Sequence, residues 1–374
     1  VYIRLKMYNW QRQGWPHYTY NTDDLQAILM EIAIDAGRIH GILETLPTDS
    51  SVEAQVEQLT LEAITTSEIE GEYLNRIDVA SSIRKNLGLT PPRENIRDQR
   101  AVGIGELMVK VREQWDQSLS ATMLHEWHKA LMTGNKYITP GKWRSGTEPM
   151  QIISGSIGKE VIHYEAPPSK QVPLAMKAFI QWYNQAGPKG KNSISIAPVR
   201  AAITHLYFET IHPYEDGNGR IGRALADKAL YETIGYKGLP SISSTIAKDR
   251  QAYYEALREA QNSLDITSWV QYFVTTIATS LENTEKLILF TLKKTQLFDR
   301  LHGQLNPRQV KILTKMLSEG PTGFEGGMTA KKYMRITKTS KPTATRDLRD
   351  LYDKGALVQS GGGRSVSYQV KLND

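Results

Sequence analysis

Apolar residues recur at every third or fourth position along most of this chain, and strand-like runs are confined to two short places. Val56, Leu59, Ala63 and Ile64 form one helical stripe, and Val199, Ile203, Leu206, Tyr207 and Ile211 form another. A chain patterned in this way must build its core by packing helices on helices, so the expected class is mainly α. Asp23 and Asp24 open a helix expected to reach about Leu43, and a second runs from Val52 to Tyr73. Before them lies an aromatic-rich stretch, Trp10, Trp15, Tyr18 and Tyr20, which reads as packing or as an interaction surface. Leu89-Thr90-Pro91-Pro92 is a break. Helices are then expected over Glu94–Trp115, Ala121–Leu131, Val199–Ile211, Arg220–Ile234, Arg250–Gln261 and Trp269–Leu289. Trp143–Tyr164 departs from the pattern. It carries two β-prone runs around a Gly/Ser turn, from Gln151 to His163, and reads as a hairpin ended by Pro167 and Pro168. No fixed-period repeat is present.

The last 72 residues form a different text. Helices are expected at Pro307–Leu317, Ala330–Met334 and Pro342–Asp353, followed by strands at Ala356–Gln359 and Ser365–Val370 around Gly361-Gly362-Gly363. Three helices and then a hairpin is the order of a winged helix-turn-helix. Charge sets this part off. The whole chain carries 46 Lys plus Arg against 40 Asp plus Glu, a net of +6. Residues 303–374 hold 13 against 6, or +7, and leave the remainder at −1. The expected division is therefore an N-terminal helical region over 1–90, a core over 91–290 and a winged helix over 291–374. On the winged helix, Arg346, Arg349 and Arg364 favour DNA, while Asp347, Asp350 and Asp353 oppose it.

Cysteine is absent, which excludes disulfide scaffolds, zinc-thiolate sites, iron–sulfur clusters and cysteine nucleophiles. No apolar run reaches the roughly 18 residues of a membrane span. Val1–Lys6 lack the apolar stretch of a signal peptide and precede Met7, as a leader or a misplaced start would. A reducing cytoplasm is the expected location.

The chemistry concentrates in His212-Pro213-Tyr214-Glu215-Asp216-Gly217-Asn218-Gly219-Arg220-Ile221-Gly222-Arg223, between two expected helices. Gly217 and Gly219 permit a tight turn with inward-facing amides, and a helix starting near Arg220 adds free N–H groups and a positive dipole end. Arg220 and Arg223, three apart, reach one anion from one helix face. Asp216 offers a hard oxygen ligand suited to Mg²⁺ held jointly with phosphates. His212 can take a proton from an attacking hydroxyl. Together these residues describe phosphoryl or nucleotidyl transfer. Two other readings fail. Gly217-Asn-Gly219-Arg-Ile-Gly222 matches the dinucleotide fingerprint, but helix and not strand precedes it. An EF-hand loop from Asp216 would place Arg220, Ile221 and Asp227 where an oxygen ligand, Gly and Glu are needed. A plain Gly/Asn-rich interhelical turn accounts for the glycines and not for the His, Asp and two Arg.

The segment from His212 to Arg223 resembles the signature of Fic-domain proteins: His, any, Phe, any, Asp or Glu, Gly-Asn-Gly-Arg, two more, Arg. Every polar position is present, and Tyr214 replaces the usual Phe. The likeness covers roughly Glu94–Leu287, and the flanks are similar to one subgroup with an N-terminal helical region and a C-terminal winged helix. It implies a Fic-type helical bundle with a β-hairpin flap, and transfer of AMP from ATP to a hydroxyl side chain of a target protein or of itself, releasing pyrophosphate. It also implies roles: His212 as general base, Asp216 as Mg²⁺ ligand, Gly217, Asn218 and Gly219 as anion cradle, and Arg220 and Arg223 on the phosphate tail. Ile221 and Gly222 fall within the same phosphate-binding span. The Trp143–Tyr164 hairpin corresponds to the flap, expected to add a target segment as a strand or to act as a lid. Tyr253 and Tyr254 suit either the adenine pocket or the core. His125, His128 and His205 read as buried structural histidines.

Thr66-Ser67-Glu68-Ile69-Glu70-Gly71 resembles the family's inhibitory motif through Thr66, Glu70 and Gly71. In that reading Glu70 pairs with Arg223 and displaces the γ-phosphate, so ATP enters with its phosphates misplaced. A DNA-binding regulator with a nucleotide-sensing Fic core, and removal of AMP from a modified protein, remain as alternatives. The target, the modified residue type and homodimer formation stay open.

Overall fold

The computed structural model describes residues 7–154, 161–236, 240–320, 323–362 and 365–372. The chain divides into two compact units, one of residues 1–45 with 55–284 and one of residues 46–54 with 285–374. The helices are α1 Gln26–Thr45, α2 Thr48–Ile69, α3 Arg76–Asn86, α4 Gln99–Glu113, α5 Ala121–Leu131, α6 Val172–Ala186, α7 Ala197–Ile211, α8 Asn218–Ile234, α9 Ile242–Ile246, α10 Arg250–Ala260, α11 Thr267–Arg300, α12 Pro307–Leu317, α13 Ala330–Thr337 and α14 Lys341–Asp353. Strands β1 Gln151–Ser154 and β2 Val161–Glu165 pair antiparallel, as do β3 Leu357–Ser360 and β4 Ser367–Val370. The class is mainly α, as the periodicity requires. None of the described helices is long and apolar enough to cross a membrane.

In the larger unit α7 is the central helix, and every residue from Ala197 to Ile211 is buried. Its stripe at Val199, Ile203 and Leu206 is only part of that burial, because the polar positions are enclosed as well. Arg200 donates to Glu232 at 2.9 Å and to the carbonyls of Ala229 and Tyr183. A buried cation persists only with such partners. The N-terminal aromatic stretch packs onto this helix. Trp15 and Tyr18 meet the Tyr207 ring edge-on, Asn9 donates to Thr210 Oγ1, and Trp10 Nε1 donates to the Glu165 carbonyl on β2.

Several boundaries differ from the sequence expectation for identifiable reasons. Helix α2 stops at Ile69 and not Tyr73, because Gly71 adopts φ +79 and the amides of Gly71 and Glu72 turn back to the carbonyls of Glu68 and Ser67. A separate helix, α3, follows, capped by Asn75, whose side chain accepts from Ile77 and Asp78. Asp98 caps α4, so that helix starts at Gln99 and not Glu94. Helix α6 lies where no element was assigned, and α11 continues past Leu289 to Arg300. The hairpin is confined to 151–165, with a register irregularity between Ile152 and Ile153. Its turn, 155–160, lies outside the described residues.

The smaller unit has α12, α13 and α14 followed by the β3–β4 hairpin, with Met328 bridged to Tyr368. Ile312, Leu313, Tyr333, Leu348 and Leu351 are fully enclosed in its core. Gly363 and Arg364, expected on the wing, lie outside the described residues, as do Val1–Lys6.

Candidate active site

The loop between α7 and α8 brings the chemistry together. His212 closes α7 in the left-handed conformation, φ +49, with its amide donating to the Phe208 carbonyl. A non-glycine residue rarely adopts this conformation, so the surroundings must enforce it. Arg144, buried just before the hairpin, does so. Its Nε donates to the His212 carbonyl at 2.7 Å, its Nη2 to Ile211 and Pro167, and its Nη1 to Ser169 Oγ, while its amide donates to the Pro213 carbonyl. Burial lowers its pKa to about 10, well above neutrality, so the guanidinium stays charged. Sequence reasoning missed Arg144, since no local spacing links it to a motif 68 residues away.

Tyr214 anchors the loop as its place in the pattern implies. The ring is fully buried, stacks on His128 at 3.9 Å between centroids, and lies against Trp143. The Asn218 side chain closes the turn: its Oδ1 accepts from the Tyr214 amide at 2.8 Å and its Nδ2 donates to the Tyr214 carbonyl at 2.9 Å. Its side-chain amide is therefore engaged in the loop, and only its backbone N–H remains for an anion. Gly217, at φ +81, begins α8 with no side-chain cap, so no capping side chain takes up the first amides of that helix among the described residues. A Cβ on Gly217 would overlap Met132 and Leu131, and one on Gly219 would overlap the Glu70 carboxylate.

Two carboxylates from the end of α2 hold the two arginines. Arg223 donates through Nη2 to Glu70 Oε1 at 2.7 Å, through Nε to Thr66 Oγ1 at 2.8 Å, and through Nη2 to the Thr66 carbonyl at 2.9 Å. It is 1% exposed, and its Nη1 has no hydrogen-bond partner among the described residues. Burial works to lower the Arg223 pKa, but the charge and hydrogen bond of Glu70, with Tyr253 and Tyr254 beside it, together outweigh it and the net shift is upward. Arg220 pairs with Glu72 at 2.7 Å and reaches Asp216 at 3.2 Å. Glu72 was not anticipated; only the turn at Gly71 brings it back over the motif. Asp216 also accepts from the Gly217 amide and leaves half of its side chain exposed, which suits a single carboxylate ligand shared with phosphate oxygens.

The remaining residues of the span face elsewhere. Ile221 is fully buried in the core, and Gly222 packs against Glu209 and His205 on the far side of α8. Neither presents a side chain to an anion. Tyr253 and Tyr254 both border a cavity of about 600 Å³ together with Glu70, Glu209, His212 and Arg258. Tyr253 is buried with its hydroxyl 2.8 Å from His205 Nε2, whereas Tyr254 is exposed. His128 and His205 are buried as expected, while His125 is only partly so. His128 accepts from the Gly141 amide through Nδ1, and burial lowers its pKa to about 4. Behind Arg223, α2 and α8 bury two further carboxyls. Glu62 is held by Ser241 and Ser243, and Asp227 keeps one oxygen without a partner among the described residues.

Comparison with known proteins gives the class. Residues 118–230, a span that includes the whole loop, match the Fic/DOC family model. Residues 8–89 match a domain of unknown function (DUF4172). A probable protein adenylyltransferase of Aquifex aeolicus is 33% identical over 98 residues, 26% of this chain and 27% of that protein. The protein adenylyltransferase Fic of Nematostella vectensis is 24% identical over 207 residues, 54% of this chain and 43% of that protein. The chain thus spans less than half the length of these curated relatives. In fold it is similar to a Fic family protein from Desulfovibrio desulfuricans, with a TM-score of 0.51 at 17% identity, covering 96% of this chain and 99% of that one.

Proposed function

We propose that this protein is an autoinhibited adenylyltransferase that moves AMP from ATP to a hydroxyl of a target protein. The observation that carries the proposal is the convergence of an uncapped helix N-terminus and His212 beside a cavity under a two-stranded hairpin, with Arg223, whose Nη1 has no hydrogen-bond partner among the described residues, held next to it by Glu70. Helix amides and guanidinium groups aimed at one point stabilise the charge that builds on a phosphate during transfer. Tyr254 would line the nucleoside side of the cavity. The hairpin would receive a target segment as an added strand, which sets its hydroxyl beside His212. His212 would take the hydroxyl proton as the oxygen attacks the α-phosphate and the bond to pyrophosphate breaks. Asp216 would hold Mg²⁺, which supplies charge neutralisation to the phosphates when bound.

In this reading the α2 terminus is the brake. Glu70 and Thr66 hold Arg223, so the triphosphate tail enters without its guanidinium partner. Incorporation of label from α-phosphate-labelled ATP tests both parts. Glu70→Gly is expected to raise labelling and His212→Ala to abolish it. Undiminished labelling by His212→Ala would remove the base assignment.

A DNA-binding role for the smaller unit rests on a separate observation. Asp347 does not face solvent with Arg346 and Arg349; it is buried against Arg308 at 2.8 Å and the Tyr333 hydroxyl. The outward face of α14 is thereby more basic than its sequence. A salt-sensitive gel shift on duplex DNA, lost in Arg346→Ala/Arg349→Ala, is the expected result, and no shift at low salt would refute it.

A further inference from the structure

Glu209 has no place in the roles considered so far, and its surroundings are unusual. It lies one turn before His212 on α7 and is 3% exposed, yet no lysine or arginine among the described residues hydrogen-bonds to it. Its Oε2 is 3.5 Å from His212 Nδ1, a charge contact just beyond hydrogen-bond geometry, and neither that Nδ1 nor Glu209 Oε1 has a hydrogen-bond partner among the described residues. A carboxylate enclosed in this way costs several kcal/mol unless a nearby group compensates it. We propose that Glu209 is the positioning residue of His212: its carboxylate holds the imidazole with the proton on Nδ1, so that Nε2 is left bare toward the cavity.

The neighbouring elements are arranged for this contact. On α8, Gly222 supplies the space, since a Cβ there would overlap Glu209 Oε1 and crowd the His205 ring. On α7, His205 borders the carboxylate, and its Nε2 is already engaged by the Tyr253 hydroxyl of α10 at 2.8 Å. The charged and titratable groups around Glu209 are thus His212 and His205 on α7, Arg223 on α8, Tyr253 and Tyr254 on α10, and Glu70 beyond α2. Burial pushes the Glu209 carboxyl up, but the neighbouring His212, His205 and Arg223 together outweigh it and hold it below the ordinary glutamate range. It is therefore ionised at neutral pH, as an acceptor for Nδ1–H must be. The backbone completes the arrangement: the left-handed turn at His212, pinned by Arg144, folds the ring back along α7 toward Glu209. A histidine free to take either tautomer is a base only part of the time; one fixed by a carboxylate is a base all of the time.

The inference rests on His212 being the proton acceptor proposed above, and the experiment separates the two. Histidine-selective ¹⁵N labelling, with His212 assigned by its loss in His212→Ala, reads the tautomer without any turnover. In the wild type, His212 should show a protonated Nδ1 and a bare Nε2. In Glu209→Gln the Nε2-protonated form should gain population, whereas Tyr253→Phe should leave the tautomer in place. In the active Glu70→Gly background, Glu209→Gln should lower kcat by about a hundredfold with KM for ATP nearly unchanged, and Glu209→Asp should recover part of the loss. A wild-type His212 protonated on Nε2, or a tautomer unmoved in Glu209→Gln, overturns the proposal. The wild-type spectrum decides even if the variant fails to fold. A protonated Nδ1 with full labelling by His212→Ala would instead leave the contact standing and remove the base assignment.

Discussion

Replacing Glu70 by Gln removes one charge from the Arg223 pair and little else, since the amide has the size of the carboxylate. The bond is 2.7 Å long, with Arg223 1% exposed and Glu70 30% exposed on the side chain. A hydrogen bond between charged groups contributes about 1.5–3 kcal/mol. At about 1.4 kcal/mol per tenfold, releasing Arg223 to a triphosphate should raise productive labelling by roughly 10–150-fold. The same change should weaken the fold. Arg223 loses its charged partner but keeps the Thr66 hydroxyl and carbonyl, so the loss should stay near 1–3 kcal/mol and below the ~3–5 of a fully buried pair. At about 2–4 °C per kcal/mol, that lowers Tm by several degrees. ATP should then recover more of Tm in the variant than in the wild type, because the anion replaces the missing charge on Arg223. Labelling with α-phosphate-labelled ATP and thermal unfolding with and without ATP read these quantities. A variant that is less stable yet no more active would refute the brake, because the pair would then be structural only.

Three further outcomes follow from the same geometry. Glu72→Gln, which frees Arg220, should raise labelling further when combined with Glu70→Gln, by about 1.4- to fivefold for a partly exposed pair; an unchanged double variant would show that Arg220 is not competed for. Arg144→Ala should cut labelling by about a hundredfold or more by releasing the His212 turn, and steady-state kinetics should place the loss in kcat; a loss confined to KM would contradict the pin. Asp227, raised well above the ordinary aspartate range by burial and by the Glu62 charge against the opposing pull of Arg223, binds its proton more tightly folded than unfolded. Its contribution is therefore present at low pH and lost as pH rises through its folded value. Asp227→Asn should raise Tm in mildly alkaline buffer and change it little near pH 4, and equal shifts at both would refute the assignment.

Much of this site is local and was legible in the chain. Twelve consecutive residues carry His212, Asp216, the glycine turn and both arginines, because the groups around a helix N-terminus are neighbours in sequence. Thr66, Glu70 and Gly71 were legible only through resemblance, and what they touch lies some 150 residues away. The pattern also overreached. Ile221 and Gly222 belong to the span by position, but three successive positions on a helix point in different directions, and these two face the core.

Helical periodicity by itself determined that the chain is mainly α, and the loop by itself determined what chemistry it can host. Tertiary structure alone decided which side chains surround that loop. Glu72 returns to Arg220 only through the Gly71 turn, Arg144 reaches His212 from before the hairpin, and Glu209 faces His212 where Gly222 leaves room. Periodicity reports how often a side chain meets the core, not which partner it meets there. A buried arginine or glutamate is identical in sequence to a solvated one until the fold encloses it.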